Sequence, residues 1–468
     1  MTNIAGRQAP TRSISSRLLT NRKIRLAAIA LFCLGSGGCE TEQSAPPEVI
    51  ETTKNDLVWA VNVGGPAYEG IDGTQYEAEG SVQGGTIGQM ETVKGSQDPF
   101  LYQSYRVGDI EVAHALPDGT YDITFHFAEP EQLGRGERIF DVFVEDRRVI
   151  EALDVMLARD SKVESALTVA IPSVEISDGE LNVRFDASAG QPVLSAIAVR
   201  NGIARGAAWK LVWNDEFDYE GGPDPDKWEI DLWPPKKVND EDQAYTARER
   251  NLRVEDGVLV IEAHKEDYEG GSYTSGRAHS SGKGDFLYGR FEVRAKLPGG
   301  TGTWPAIWML PSDPFHYATT CEAGEDWQGS STCDAWPNSG EIDIMENVGY
   351  DVNRIHASVH NQAYYWVKWE QRKGQIIVDE PSDEFHTYVL EWSPDEIRMF
   401  VDEHIYFTYI NEQTGWEAWP YDQPFHLILN IAVGGWWGRS GGGIDDDAFP
   451  RQMLVDYVRV YQLEGEDL

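Results

Sequence analysis

The stretch Phe291-Glu292-Val293-Arg294-Ala295-Lys296-Leu297 sets an apolar side chain at every second position and a charged one between. On an extended strand successive side chains point to opposite faces, so this pattern predicts a strand with one dry face and one wet face. Tyr121-Asp122-Ile123-Thr124-Phe125-His126-Phe127 has the same period, with apolar odd positions and polar even ones. Thr387 to Trp392, a Ser393-Pro394-Asp395 turn and Ile397 to Val401 read as a hairpin. Turn signals such as Pro117-Asp118-Gly119 and Ser177-Asp178-Gly179 separate these runs, and no segment reads as a long helix. A sheet with one dry face must cover it with another layer, so the fold class is all-β. Two modules are expected, the first of them a β-sandwich on its period-two strands.

With 468 residues the chain has room for two or three domains. Residues 1–39 carry Arg7, Arg12, Arg17, Arg22, Lys23 and Arg25, then the apolar run Leu26 to Leu34. That run is too short for a permanent membrane span and reads as an export signal. Gly35-Ser36-Gly37-Gly38-Cys39 resembles a bacterial lipoprotein cleavage site, although Ser36 stands where the usual pattern prefers leucine. Residues 40–56 are polar, include Pro46-Pro47 and read as a flexible tether. The first sandwich is expected over 57–202, with a short linker up to Ala208, and the second over 207–468. On this reading the first should fold alone and the second should keep full activity without it.

Of the four cysteines, Cys33 leaves with the signal. Cys321 and Cys333 share a polar, Gly/Ser-rich loop in which an oxidising compartment would allow a disulfide. That leaves Cys39, and lipidation would remove the odd thiol. A lipid anchor at Cys39 would make the protein an exported cell-surface or outer-membrane lipoprotein, with ordinary secretion as the alternative. Membrane contact is then expected only through the anchor, and the protein as a monomer. Neither zinc nor thiol catalysis is indicated, since no second Cys or His pair has ligand spacing. The net charge of -39, from 78 acidic against 39 basic residues spread along the chain, repels nucleic acid and anionic polymers. It leans towards a neutral polymer as partner.

Glu341-Ile342-Asp343-Ile344-Met345-Glu346 puts three carboxylates into an apolar strand-like run. Glu341 and Asp343 share a face at i and i+2, and Glu346 at i+5 would point away unless one extra residue intervenes. A β-bulge at Ile344-Met345 would return Glu346 to that face, a device common beside active sites. Strand rise then sets the two glutamate backbones about 13 Å apart, and two side chains leaning together could close to the roughly 5 to 5.5 Å of a retaining glycosidase. An acidic edge strand facing water is the plain alternative.

Upstream stands Gly300-Thr301-Gly302-Thr303-Trp304-Pro305-Ala306-Ile307-Trp308-Met309-Leu310-Pro311. Downstream come Leu427-Ile428-Leu429-Asn430-Ile431-Ala432-Val433-Gly434-Gly435 and Met453-Leu454-Val455-Asp456-Tyr457-Val458-Arg459-Val460-Tyr461. Together with the acidic strand these resemble family-16 glycoside hydrolases, and among them the laminarinase-like endo-β-1,3-glucanases, from about Trp209 to Gln462, and the resemblance implies for the second module a β-jelly roll whose concave face forms a substrate cleft. The resemblance implies Glu341 as nucleophile, Glu346 as acid/base and Asp343 as the carboxylate that holds and tunes the nucleophile. It implies that Asn239, Glu241, Gln243 and Tyr245 match an Asn-x-Glu-x-Gln-x-Tyr pattern, with Asn239 and Glu241 at the substrate. Arg277 would bond sugar hydroxyls, Trp304 and Trp308 would offer stacking faces, and His360 would sit at the leaving-group side. Trp436 lies in Gly434-Gly435-Trp436-Trp437-Gly438, where the commoner form has an asparagine before one tryptophan, so linkage preference is left open. No catalytic cofactor is implied, but a structural calcium is, with Glu216, the carbonyl of Gly257 and Asp456 as its ligands.

The first sandwich resembles malectin-like domains through Asn62-Val63-Gly64-Gly65-Pro66-Ala67-Tyr68, Asp98-Pro99-Phe100-Leu101-Tyr102-Gln103 and His126-Phe127-Ala128-Glu129. That implies carbohydrate binding, with Tyr68, Tyr102 and Phe127 either stacking on sugar or filling the core. The function implied for the chain is endo-acting, retaining hydrolysis of a laminarin-like β-1,3-glucan. Mixed-linkage glucan, agarose or carrageenan remain as substrates on the same fold, and a carbohydrate-binding surface lipoprotein as the non-enzymatic alternative.

Overall fold

Alternation becomes pleat where the sequence predicted it. In the computed structural model, which describes residues 57–159, 161–201, 209–402 and 404–463, Gly289–Lys296 is a strand. Phe291, Val293 and Ala295 are fully buried on one of its faces. His386–Trp392 and Glu396–Val401 pair antiparallel as the expected hairpin. The export signal, the tether and Cys39 lie outside the described residues.

The first sandwich faces one sheet, built around Leu57–Asn62, Gly119–Ala128, Ala166–Ile176 and Ala196–Asn201, against a second built around Ser104–Ala115, Ile139–Val144, Arg147–Leu153 and Glu180–Ala189. Phe125, Phe127, Phe140, Leu181 and Ile197 fill the space between them. Gly119–Ala128 departs from its alternation, because its polar positions Asp122 and His126 are buried too. The cause differs at the two: a small cluster including Ala60, Tyr76, Met90, Leu101 and Tyr102 covers the far face at His126, while Asp122 accepts the Ser173 N–H at 3.0 Å and faces His404 of the second sandwich. His126 packs edge-on against Tyr76 and Tyr102 there.

The second sandwich has an inner sheet in the order Arg277–His279, Phe425–Val433, Thr303–Pro311, Glu341–Glu346, Arg354–His360 and Arg372–Ile377. An outer sheet includes Val258–Tyr268, Arg451–Leu463, Gly289–Lys296 and His386–Trp392. The two hold a core of Phe291, Ile307, Ile342, Trp392, Leu429 and Val458, with strands open at the edges.

More than a linker joins the sandwiches. Ala170 of Ala166–Ile176 pairs in parallel with Ile376 of Arg372–Ile377, so their sheets run on as one. His404 Nδ1 lies 3.0 Å from the Asp122 carboxylate. Gln97 donates to the Ile410 carbonyl at 2.8 Å and accepts from its N–H at 3.0 Å. Lys162 Nζ donates to the Trp366 carbonyl at 2.8 Å, and the Gly95 N–H to Glu370 at 3.0 Å. The described residues accordingly form one compact unit, which sets the separate folding expected of the linker reading against a built interface.

Candidate active site

Within Glu341–Glu346, Asp343 pairs with Ser358 and Glu346 with His356, so that Ile344 and Met345 together stand against Ala357 alone. On the other side Trp308 pairs with Asp343 and Ile307 with Met345, so the irregularity falls at Ile344-Met345. Ile342, Ile344 and Met345 are fully buried in the core. Each such side chain contributes roughly 1.5 to 3 kcal/mol by leaving water, which fixes the strand and holds its acids on the concave face.

Neutral donors meet those acids. Trp336 Nε1 donates to Glu341 Oε2 at 2.9 Å, and Trp304 Nε1 to Glu346 Oε1 at 3.1 Å. Ser358 Oγ donates to Asp343 Oδ2 at 2.7 Å. His360 Nε2 lies 3.3 Å from Asp343 and 3.7 Å from Glu341, with the Gln371 amide 3.2 Å away. His360 pairs with Glu341, and the histidine opposite Glu346 is His356.

Burial and the neighbouring Asp343 push the Glu346 carboxyl up to about 8, while Lys373, Trp304 and Ser358 pull the other way. Burial, then Asp343 and Glu346, push Glu341 up as well, opposed by the Trp336 N–H. Charge repulsion in a dry site means that three adjacent acids do not all ionise together, and a proton held at Glu346 suits a group that must donate one. His356 stays neutral, held down by burial and by Lys373 and Arg354.

The remaining candidates divide. Trp304 and Trp308 both rise from Thr303–Pro311 onto the concave face, and Trp308 Nε1 donates to Asn430 Oδ1 at 2.7 Å. Arg277 is buried, its Nε on Asp231 at 2.7 Å and its guanidinium 4.4 Å from the Trp233 ring and 4.7 Å from the Trp308 ring. It therefore backs the Trp308 platform. Glu241 is also buried, and its carboxylate accepts from Gln243 at 2.7 Å, Asn239 at 3.2 Å and Tyr245 at 3.4 Å. The Asn-x-Glu-x-Gln-x-Tyr spacing thus makes a self-satisfied brace. That brace shapes the next loop, since the Asn239 carbonyl accepts the Trp436 N–H at 3.1 Å and Glu241 bridges to Gly434. Gly434 has φ +71°, and a Cβ there would lie 1.9 Å from Asp242 Oδ2, so only glycine fits. Trp436 is 59% exposed, and its ring stands 5.3 Å from that of Trp366.

Sequence reasoning missed Trp336, Ser358, Lys373 and Trp437. Trp437 packs edge-on against Trp304 at 5.7 Å and His356 at 4.8 Å, with Lys373 Nζ 4.5 Å from its ring centre. The second tryptophan of the Gly434-Gly435-Trp436-Trp437 loop was the available signal. Cys321 and Cys333 form the expected disulfide, with Cα atoms 5.0 Å apart. Glu216 takes Arg459 with both oxygens, at 2.9 and 2.7 Å, and Asp456 pairs with Arg294. Each carboxylate named for calcium is therefore already neutralised, and this donor set fits the ion only if both arginines give way. In the first sandwich Tyr102 and Phe127 are core, and the half-buried Tyr68 donates to Asp98 beside an exposed Phe100.

The pattern described as Glycosyl hydrolases family 16 matches residues 239–459, and that described as Malectin domain matches residues 57–200. A beta-glucanase of Rhodothermus marinus is 50% identical over 260 residues, 54% of this chain and 85% of the relative. A glucan endo-1,3-beta-glucosidase of Cryptopygus antarcticus is 37% identical over 270 residues, 54% of this chain and 92% of the relative. The solved laminarinase of Rhodothermus marinus superposes with a TM-score of 0.50 at 50% identity, covering 55% of this chain and 99% of that one.

Proposed function

The chain belongs to glycosyl hydrolase family 16, and from that premise we propose that it is a retaining endo-β-1,3-glucanase acting on laminarin-like glucan. The observation that carries this reading is the bulged acidic strand, with one glutamate at each end and Asp343 between them, in a cleft walled by tryptophans. Glu341 attacks the anomeric carbon as a carboxylate while Glu346 gives its proton to the departing glycosidic oxygen, leaving a glycosyl ester on Glu341. Glu346, now ionised, takes a proton from water, whose oxygen displaces Glu341 and restores both groups. Two inversions give retention. Trp336 supports the anion on Glu341, and Trp304 orients Glu346. Trp308, backed by Arg277, offers an apolar face for a pyranose ring.

Release of reducing ends from laminarin, lichenan, agarose and κ-carrageenan tests the substrate directly. Laminarin cleaved fastest is the expected result, and agarose or κ-carrageenan cleaved faster would overturn the assignment. We further propose export with a lipid anchor at Cys39. Detergent but not salt should then release the protein from membranes, and Cys39→Ser should make it soluble. Calcium stays a proposal on the same footing, countered by a melting temperature indifferent to both chelator and added calcium.

A further inference from the structure

Trp336, the donor to Glu341, lies in the short Ala335–Asn338 turn ahead of the catalytic strand, and its own backbone there is extended, with φ -99° and ψ 132°. Neither strand pleat nor helix period therefore aims its indole. We propose that Asp334 is a positioning residue for the nucleophile: it closes the segment that carries Trp336 and so holds the indole N–H on Glu341.

Asn338 returns to Asp334 twice, its side-chain amide donating to Oδ2 at 3.0 Å and its backbone N–H to the Asp334 carbonyl at 3.4 Å. Residues 334–338 thus form a ring with Trp336 at its middle. The Asp334 carboxylate also accepts the Thr319 and Thr320 N–H groups at 2.8 and 2.9 Å and the Thr319 hydroxyl, while the Asp334 N–H donates to Thr320 Oγ1 at 3.0 Å. Those bonds pin the ring to the facing arm of the loop. The disulfide closes the same neck one step further out, since Cys321 follows Thr320 and Cys333 precedes Asp334. Burial would raise the Asp334 carboxyl, but the Thr319 and Thr320 donors outweigh it and hold it down at about 2. The ring therefore keeps a charged acceptor at neutral and mildly acidic pH, and bonds to a charged acceptor are the strong kind.

The inference rests on the hydrolase reading above and extends it to how the nucleophile is held. The bonds of Asp334 go to Thr319, Thr320 and Asn338, so its influence on Glu341 runs through Trp336. The indole N–H favours the Glu341 carboxylate, against burial and the neighbouring acids. Opening the ring frees the indole to turn away, and a misplacement of about 1 Å in a catalytic contact can cost up to about a hundredfold in rate. Asp343 and Glu346 on the same strand and His360 on the next also face Glu341. All three stay in place when Asp334 is replaced, so a change in the titration of Glu341 reports on Trp336.

The test is made on the full chain, with Asp334→Ala, Asp334→Asn, Trp336→Phe and the Asp334→Ala/Trp336→Phe double variant. The disulfide still closes the loop in each, and rates on laminarin are taken per folded molecule below the melting transition. Asp334→Ala should lower kcat about fivefold with KM little changed, and should move the acid limb of the kcat/KM profile to higher pH as Glu341 loses its donor. Asp334→Asn keeps one oxygen for the Thr319 and Thr320 N–H groups and should fall between that variant and the wild type. On the Trp336→Phe background Asp334→Ala should cost no more than about twofold, because the donor it aims is already gone. If Asp334→Ala does not fold, Asp334→Asn carries the same cycle with the smaller loss. Equal losses with and without Trp336, an acid limb that stays in place, or wild-type kinetics in the Asp334 variants would overturn the positioning role and leave the hydrolase reading intact. Wild-type protein inactive on laminarin, lichenan, agarose and κ-carrageenan would sink the hydrolase reading, and this inference with it.

Discussion

The two sandwiches bury acids in opposite ways. In the N-terminal domain Glu129 is fully buried and takes Arg138 at 2.7 and 3.1 Å, so its charge is cancelled on the spot. In the catalytic domain Glu341, Asp343 and Glu346 crowd together and are met by neutral indole and hydroxyl donors. A cancelled acid holds the fold. There the proton affinities of Glu341 and Glu346 are raised, and that makes a reagent.

The sharpest break of this comparison swaps each acid for its amide. Glu341→Gln and Glu346→Gln should each lower laminarin hydrolysis by roughly 10³- to 10⁵-fold, while the melting temperature holds, since an amide keeps the shape of either side chain. Glu129→Gln should do the reverse. It removes the fully buried partner of Arg138 and leaves only the exposed Glu131 at 3.1 Å, so stability measured by denaturant titration should fall by about 3 kcal/mol with activity per folded molecule kept. Trp336→Phe removes the donor to Glu341 and keeps the bulk, so kcat should drop about tenfold with KM little changed.

Smaller effects concern pH. Since the Glu346 carboxyl sits near 8 against an ordinary 4.5, the free enzyme should lose kcat/KM above about pH 8, as the acid form disappears. The same raised value means that the stability this proton contributes is full below about pH 4.5 and is lost as pH climbs towards 8. Glu346→Gln should flatten that dependence in a melting series. Lys373 pulls Glu346 down, so Lys373→Met should move the alkaline limb upward by a fraction of a unit.

Much of the site was legible because the acids broke a rule. Glu341, Asp343 and Glu346 cannot share a strand face without an extra residue, and the bulge at Ile344-Met345 supplies it. Trp336 was hidden because its loop after Cys333 has no period, so nothing in the order of residues aims its indole at Glu341. Glu241 shows the limit of a period that is read correctly. Residues 241, 243 and 245 do share a face, but pleat alone does not say whether that face turns to the cleft or inward, and here they bond one another. The same limit hid the cluster over His126 and the His404 contact at Asp122. Least legible was the junction of the sandwiches, since Ala170 meets Ile376 across some two hundred positions and neither residue is distinctive.

The account's central claim is that Glu341 is the nucleophile and Glu346 the acid/base of a retaining hydrolase. Azide rescue of Glu346→Ala on an activated aryl β-laminaribioside tests it most directly, with the product's anomeric configuration read by NMR. A β-glycosyl azide is predicted, because azide would attack the ester on Glu341 from the face the acid/base once served. An α-glycosyl azide from that variant would show that the two glutamates exchange roles and would contradict the account.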